Sequence, residues 1–147
     1  MDAIDTSDEH GTNAAMPILA TLINDDARLN CLPRFFGNRC MMVENAVFTM
    51  IGMMCADYHG AFWQFFELSN GGFYMAPKTD NRFHMTCNGN GFEGEVSADA
   101  AGIIACLMAF SHLSFQLEDA RIVDAFHCLR AFALDHNEAG LIFSAID

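Results

Sequence analysis

The sequence predicts a single α+β domain in which an antiparallel β-meander of three to four strands packs with about four helices. At 147 residues the chain has the length of one ordinary domain, and 52% of its residues are hydrophobic, which is enough to build a sizeable core. The spacing of apolar residues changes from a helical period to a strand period in the middle third of the chain and then changes back. The predicted strands therefore follow one another directly, with helices before and after them.

The N-terminal third divides into a tail, a short apolar segment, a loop and a helix. Residues 1–16 are polar and aperiodic, which predicts a flexible acidic tail, and residues 17–147 make up the domain. The short apolar segment spans residues 18–23. In residues 28–37 a proline and a glycine punctuate aromatic side chains, which favours a loop. Apolar residues recur at helical spacing over residues 43–58, which predicts the first long helix.

The middle third contains four predicted strands. Residues 62–68 and 73–76 flank a Ser-Asn-Gly-Gly segment, and its Asn70-Gly71 pair predicts a hairpin with a type I′ turn. Residues 82–87 and 92–96 alternate apolar and polar side chains around a second turn rich in asparagine and glycine. Together these segments predict a four-strand antiparallel meander.

The C-terminal third is predicted to be helical. Ser97 is a favourable N-cap, and Asp99 in the first turn complements the helix dipole. The uncharged stretch over residues 100–117 has the minimum length of a membrane span, but its serine, histidine and glutamine side chains favour a buried central helix. Two further helices are predicted over residues 119–135 and 138–146.

The charge balance limits the classes of partner. Seven Lys and Arg against nineteen Asp and Glu give a formal net charge of -12, so the surface lacks the cations that neutralise phosphates. No direct nucleic-acid binding and no membrane partner are therefore expected. Residues 1–26 carry six acids and no base, whereas the rest of the chain interleaves its acids with Lys and Arg. Residues 1–13 lack the features of a secretory signal, and we expect a cytoplasmic protein whose cysteines are buried free thiols.

Six Cys and six His raise the question of a metal site or a Cys-His nucleophile. The chain contains no C-x2-C or H-x3-H pair of the kind that structural zinc sites use. It also contains no G-x-S-x-G elbow and no phosphate loop. Residues 89–94 fit the pattern G-x-G-x-x-G, but they lie between two alternating strands and not between a strand and a helix, which favours a hairpin turn. We therefore predict no metal, no cofactor and no catalytic residue, and we interpret the chain as a non-enzyme. A Cys-dependent enzyme stays open as a less favoured alternative.

Several segments resemble one known family. Residues 55–77 read Cys-Ala-Asp-Tyr-His-Gly-Ala-Phe-Trp-Gln-Phe-Phe-Glu-Leu-Ser-Asn-Gly-Gly-Phe-Tyr-Met-Ala-Pro, which resembles the signature of the ArdB/KlcA antirestriction family. Arg28 with the Leu-Pro-Arg-Phe-Phe-Gly segment of residues 32–37 resembles the opening motif of that family, and further similar segments are residues 97–103, 129–136 and 145–147. Asn137 departs from the pattern, because the family tends to have proline there. The resemblance covers about residues 28–147.

The resemblance implies a small cytoplasmic protein of plasmids and other mobile elements that relieves type I restriction of incoming unmodified DNA. It implies no catalytic residue, and its expected partner is the type I restriction-modification enzyme complex, contacted directly or indirectly. The interleaving of acids with bases favours contact with a protein over mimicry of DNA by an array of carboxylates. An acidic regulatory protein-binding module without antirestriction activity is the alternative, and no oligomeric state is predicted.

The candidate contact residues are arginines, aromatic residues and polar residues of the matching segments, several of them of types that dominate protein interfaces. They are Arg28, Arg34, Asp57, Tyr58, Trp63 and Asn70. Turn geometry alone also accounts for Asn70.

Overall fold

A computed structural model describes residues 16–147, so the predicted tail, apart from Met16, lies outside the described residues. This part of the chain contains five strands and five α-helices, and a 3-10 turn (Gly37–Arg39) joins the first two helices. In chain order they are β1 (Ala20–Leu22), α1 (Asp25–Phe36), α2 (Cys40–Met54), β2 (Trp63–Leu68), β3 (Phe73–Pro77), β4 (Phe83–Cys87), β5 (Phe92–Val96), α3 (Ala98–Gln116), α4 (Ala120–Ala133) and α5 (Ala139–Ile146). The predicted α+β class is confirmed.

The strands form two antiparallel units instead of one continuous meander. Strands β1, β2 and β3 form one sheet in that order, and among residues 16–147 β4 pairs with β5 alone, in a separate ribbon. Helix α3 covers the free edge of β3. The Cys106 Sγ accepts a hydrogen bond from the Met75 N–H at 3.5 Å and donates one to the Met75 carbonyl at 3.6 Å. The predicted pairing of β3 with β4 is therefore wrong, because a helix occupies the edge that β4 would need.

Helix α3 is the centre of the core, as the sequence predicts. Its apolar stretch is long enough to cross a bilayer, but 67% of the residues in that window are buried inside the protein. At Gly102 the helix approaches β3 so closely that a Cβ would lie 2.5 Å from the Met75 carbonyl oxygen. Only glycine permits this approach. The Ser97 N-cap is confirmed, since its Oγ accepts a hydrogen bond from the Ala100 N–H.

The loop predicted for residues 28–37 is wrong, because this segment belongs to helix α1. Asn24 caps the helix by accepting a hydrogen bond from the Ala27 N–H at 3.2 Å. Pro33 lies inside the last turn, where its missing N–H costs a single helical hydrogen bond. Gly37 then ends the helix with a φ of +54° and donates its N–H to the Pro33 carbonyl.

The hairpin between β2 and β3 forms where it is predicted, but its turn is not of type I′. A type I′ turn needs a positive φ at both central residues, and between Met16 and Asp147 only glycines have a positive φ. Gly71 adopts φ +90° and donates to the Leu68 carbonyl, while the Leu68 N–H bonds the Gly72 carbonyl. This pattern is that of a three-residue loop with a glycine bulge, in which Asn70 keeps ordinary backbone angles.

Candidate functional site

The six predicted contact residues lie in two groups along β2. Arg28, Tyr58 and Trp63 meet where the strand begins, and Asp57 precedes Tyr58 in the connection from α2. Arg34 and Asn70 lie beside the other end of the strand. Helix α1 runs alongside β2, so that its two arginines contact opposite ends of the same strand.

Arg28 fastens helix α1 to the sheet. Its Nη1 donates to the Trp63 carbonyl at 2.7 Å, and its guanidinium carbon lies 4.6 Å from the Phe62 ring centroid and 4.4 Å from that of Phe65. A guanidinium between two aromatic rings is held by cation-π attraction as well as by its hydrogen bond. Half-buried Arg28 therefore has a packing role in the fold.

Trp63 and Tyr58 form an aromatic pair at the start of β2. The buried Trp63 indole donates to the Tyr58 hydroxyl at 2.9 Å, and its ring packs edge-on against Phe48. The half-buried Tyr58 ring also packs near Phe83 of β4, so that it links the three-stranded sheet to the ribbon. Of this pair, Tyr58 has the surface that a partner could reach.

At the other end of β2 the contacts are also internal. Exposed Arg34 forms a two-pronged ion pair with Glu67, with nitrogen-oxygen distances of 3.2 and 3.3 Å. The Asn70 side chain accepts from the Gly72 N–H and donates to the Cys128 carbonyl of α4 at 2.9 Å. Asn70 thus holds the hairpin turn and ties it to a helix, as the turn-based interpretation of this residue expects.

Asp57 and Tyr58 line an open cavity of about 620 Å³, which we name the Tyr58 groove. Arg82 lines it, with its Nη2 donating to the Glu95 carbonyl at 3.1 Å and lying 3.7 Å from the Glu138 carboxylate. The groove lies between the connection that precedes β2 and the ribbon of β4 and β5. Its lining residues are Cys55, Asp57, Tyr58, His59, Gly60, Ala61, Thr79, Asn81, Arg82, Phe83, His84 and Glu95.

A hydrogen-bonded network that the sequence reasoning missed lies on the far side of Arg82. The Tyr74 hydroxyl donates to one Asp99 oxygen at 2.7 Å, and His136 Nε2 lies 2.8 Å from the other. The Glu138 N–H donates to His136 Nδ1 at 3.0 Å, which fixes Nε2–H as the donor to Asp99. Tyr74, Asp99 and His136 belong to three of the segments that carry the family resemblance. Their presence in these segments is the sequence signal that could have indicated them.

The network shifts the acidities of its members. Burial by itself would raise the pKa of Asp99, but the hydrogen bonds from His136 and Tyr74 outweigh it and hold this pKa below its usual value. Burial, together with the Asp99 carboxylate, raises the pKa of Tyr74. Both shifts favour one state, a charged Asp99 that accepts from a neutral Tyr74, and they make the network a clamp between β3, α3 and the α4–α5 connection.

The cysteines whose acidity is perturbed are poor nucleophiles. Burial raises the pKa of the Cys31 thiol to about 11 and that of Cys106 to about 12, and it also raises the pKa of Cys128. A catalytic thiol needs the opposite shift. All six cysteines are free thiols, and among residues 16–147 no three His, Cys, Asp or Glu side chains are placed to hold a metal ion.

Fold and site together define a small acidic α+β protein with a polar groove beside a hydrogen-bonded clamp. Comparison with known proteins shows which family within this class the chain resembles. The sequence model of the antirestriction protein family matches residues 56–147. The antirestriction protein KlcA of Escherichia coli is 48% identical over 138 residues, which cover 89% of this chain and 94% of that protein. The uncharacterized protein YafX of Escherichia coli K12 is 35% identical, covering 88% of each chain.

A solved structure gives the same result for the fold. It matches with a TM-score of 0.84 and 44% identity, over 90% of this chain and 96% of that one. That structure belongs to the KlcA and ArdB proteins, which are described as having a novel fold and antirestriction activity against Type I DNA restriction systems in vivo but not in vitro. This chain belongs to the antirestriction protein family, which confirms the resemblance found in its sequence.

Proposed function

We propose that this protein relieves type I restriction of incoming unmodified DNA in the cytoplasm, as a binding protein and not as an enzyme. The observation that carries the proposal is similarity over nearly the full length of KlcA in both sequence and fold. A solved relative is described as active against Type I systems in vivo. The partner is the type I restriction-modification enzyme complex, or a component that acts with it.

The charge arrangement supports contact with a protein over mimicry of DNA. Duplex DNA presents a regular array of negative charge with no fixed cation between the phosphates. In this fold several carboxylates are instead neutralised by arginines, as in Arg34 with Glu67 and Arg82 with Glu95. The Asp119 carboxylate is shared by Arg39 and Arg121.

We place the contact surface at the Tyr58 groove. Exposed Asp57 and half-buried Tyr58 offer a charge and an aromatic surface there, and aromatic residues often anchor interfaces. Arg28 and Trp63 hold the sheet at this end of β2, and Asn70 holds the hairpin turn at the other end. Replacing them would reduce activity through the fold.

The decisive experiment measures the plating efficiency of unmodified phage on a host with a type I system, with and without this protein. Host methylation is followed in parallel. We expect a large rise in plating for the wild type, at unchanged methylation, and loss of that rise in Asp57→Lys combined with Tyr58→Ala. The matched control is Asp135→Lys, because Asp135 is exposed and lies outside the groove. Wild-type protein that is folded and expressed but leaves plating unchanged would contradict the proposal.

A second variant separates protein contact from DNA mimicry. Glu118, Asp124 and Asp135 are exposed acids away from the Tyr58 groove for which the described residues supply no ion-pair partner, so all three can be changed to Lys without breaking a salt bridge. Under protein contact at the Tyr58 groove the triple variant keeps its activity. Under mimicry it loses activity while staying folded.

The Cys-dependent alternative has one testable residue in the groove. Cys55 and His59 both line this cavity, and Cys55 is the one cysteine among its lining residues. Cys55→Ser is expected to retain full antirestriction activity. Complete loss in a folded Cys55→Ser protein would favour an enzyme.

A further inference from the structure

An apolar groove opens between α1 and α2, beside β2. We name it the α1–α2 groove. Its volume is about 290 Å³, which suits one or two large apolar side chains. Helix α1 supplies one wall and α2 the other, with Phe65 of β2 behind them. The lining residues are Arg28, Leu29, Leu32, Pro33, Cys40, Met41, Glu44 and Phe65.

The walls of this groove include large apolar side chains that remain exposed to solvent in the folded protein. Leu29 is 89% exposed and Met41 is 64% exposed, and each lies at the mouth of the groove. Phe62, which is 57% exposed, lies against the Arg28 guanidinium that lines the groove. Exposed apolar side chains grouped at a groove mark an interaction site more often than scattered residues do.

The charge around the α1–α2 groove is acidic. Asp25 and Asp26 occupy the first turn of α1, Glu44 lines the opposite wall, and none of the three has an ion-pair partner among the described residues. Arg34 and Arg39 are engaged elsewhere, with Glu67 and Asp119. Arg28 also lines the groove, where its guanidinium donates to the Trp63 carbonyl and packs on two aromatic rings. Three carboxylates against this one arginine leave the surface with a net negative charge.

This charge decides between possible occupants. A second copy of the chain would bring the same acidic residues and a net charge of -12 against them. Residues 1–15 carry four acids and no base, so their charge is also of the wrong sign. A partner with Lys or Arg beside an apolar anchor satisfies both the apolar walls and the acidic surroundings.

We propose that the α1–α2 groove binds a basic amphipathic helix of a protein partner. Apolar residues of that helix at spacing i, i+3 or i+4 insert between Leu29 and Met41, and its Lys or Arg residues face Asp25, Asp26 and Glu44. This surface is separate from the Tyr58 groove. It gives the protein a second contact, which is independent of the contact proposed for the restriction system.

The test titrates the purified full-length protein with a fluorescein-labelled helical peptide made of Leu and Lys, with Leu at positions i, i+3, i+4 and i+7. Anisotropy at about 0.15 M salt reports affinity, because most nonspecific attraction is screened there. We expect Leu29→Gln with Met41→Gln to weaken binding at least tenfold. The matched control is Met53→Gln with Phe115→Gln, which replaces exposed apolar residues away from the groove and is expected to leave binding unchanged.

Two further arms make the result specific. Asp25→Asn, Asp26→Asn and Glu44→Gln together should weaken the Leu-Lys peptide several-fold, and a peptide of Leu and Glu should bind at least tenfold more weakly. Equal affinity in the groove variant and in the control variant would overturn the proposal, as would absence of binding to the wild type. Because the readout is a binding constant of the purified protein, it stands apart from the outcome of the plating assay.

Discussion

The central helix and the two N-terminal helices use their apolar residues differently. Helix α3, which packs against β3 and α2, buries twelve of its nineteen residues and approaches the strand without a gap. Helix α1 buries only three of twelve residues and α2 four of fifteen, and both carry large apolar side chains at the surface. Packing accounts for the composition of α3 apart from the exposed Phe115 near its C-terminal end. It does not account for Leu29 or Met41, and this excess is what marks the α1–α2 side as a surface for partners.

The sharpest test of this difference places the same substitution in α3 and in α2. Gly102→Ala would push a Cβ to within 2.5 Å of the Met75 carbonyl oxygen, so helix and strand must separate. Overpacking of this kind costs about 3 kcal/mol of unfolding free energy. Gly52→Ala in α2 meets nothing within 4 Å and should stabilise the protein by about 0.5–1 kcal/mol. Urea denaturation measures both, and equal effects would remove the contrast between the two helices.

The clamp of Tyr74, Asp99 and His136 should show in the acid dependence of stability. The pKa of Asp99 is lower in the folded chain than in the unfolded chain, where it is about 3.9, so the folded state binds fewer protons. Its contribution is complete well above that value and disappears as the pH falls through the folded pKa. Asp99→Asn should cost about 1–2 kcal/mol at pH 7 because two hydrogen bonds to a charged acceptor are weakened.

Denaturation of both proteins between pH 7 and pH 3 measures this effect. The stability gap between wild type and Asp99→Asn should narrow toward pH 3 as the wild-type carboxylate becomes protonated. Asp135→Asn, at an exposed position without a partner in the described residues, should follow the wild-type curve. A gap that stays constant with pH would show that Asp99 acts only through shape.

Arg28 tests whether the α1–α2 side depends on a single anchor. Arg28→Ala removes a hydrogen bond to the Trp63 carbonyl and contacts with two aromatic rings, and should cost about 1–2 kcal/mol. Arg28→Lys keeps the charge but lacks the planar guanidinium, so it should recover less than half of that loss. Thermal denaturation provides the measurement. Unchanged stability in Arg28→Ala would show that Arg28 does not anchor the fold and that its side chain is free to contact a partner.

The sequence predicts most of this fold because most of its elements carry local signals. The Ser97 cap, the alternation in β4 and β5 and the apolar run of α3 identify their elements correctly. Helix α1 was not predicted, because a proline usually indicates a break in a helix. Pro33 lies in the last turn of α1, where the loss of one hydrogen bond is tolerated. The break between β3 and β4 depends on Cys106 contacting Met75 across thirty-one positions, and no local pattern contains such a contact.

The candidate site was predictable only in part, because the contacts that define it also join residues that are distant in the sequence. The residue types that favour an interface also serve as anchors, and sequence alone does not distinguish Arg28 on Phe62 and Phe65 from an arginine that faces solvent. The clamp joins Tyr74, Asp99 and His136 from three separate segments. Each of these residues is unremarkable in its own segment, and only the tertiary fold brings them within hydrogen-bonding distance.

The smallest expected effect is the most informative about the α1–α2 side. Leu29→Gln with Met41→Gln should change the unfolding free energy by less than about 0.5 kcal/mol, because both side chains are largely exposed and glutamine keeps the helix propensity. The melting temperature and the urea midpoint should therefore stay close to those of the wild type. A loss of more than about 2 kcal/mol would mean that these residues support the fold, and their exposure would then cease to indicate a partner. Stability retained together with weakened peptide binding would separate the two roles that apolar residues have in this protein.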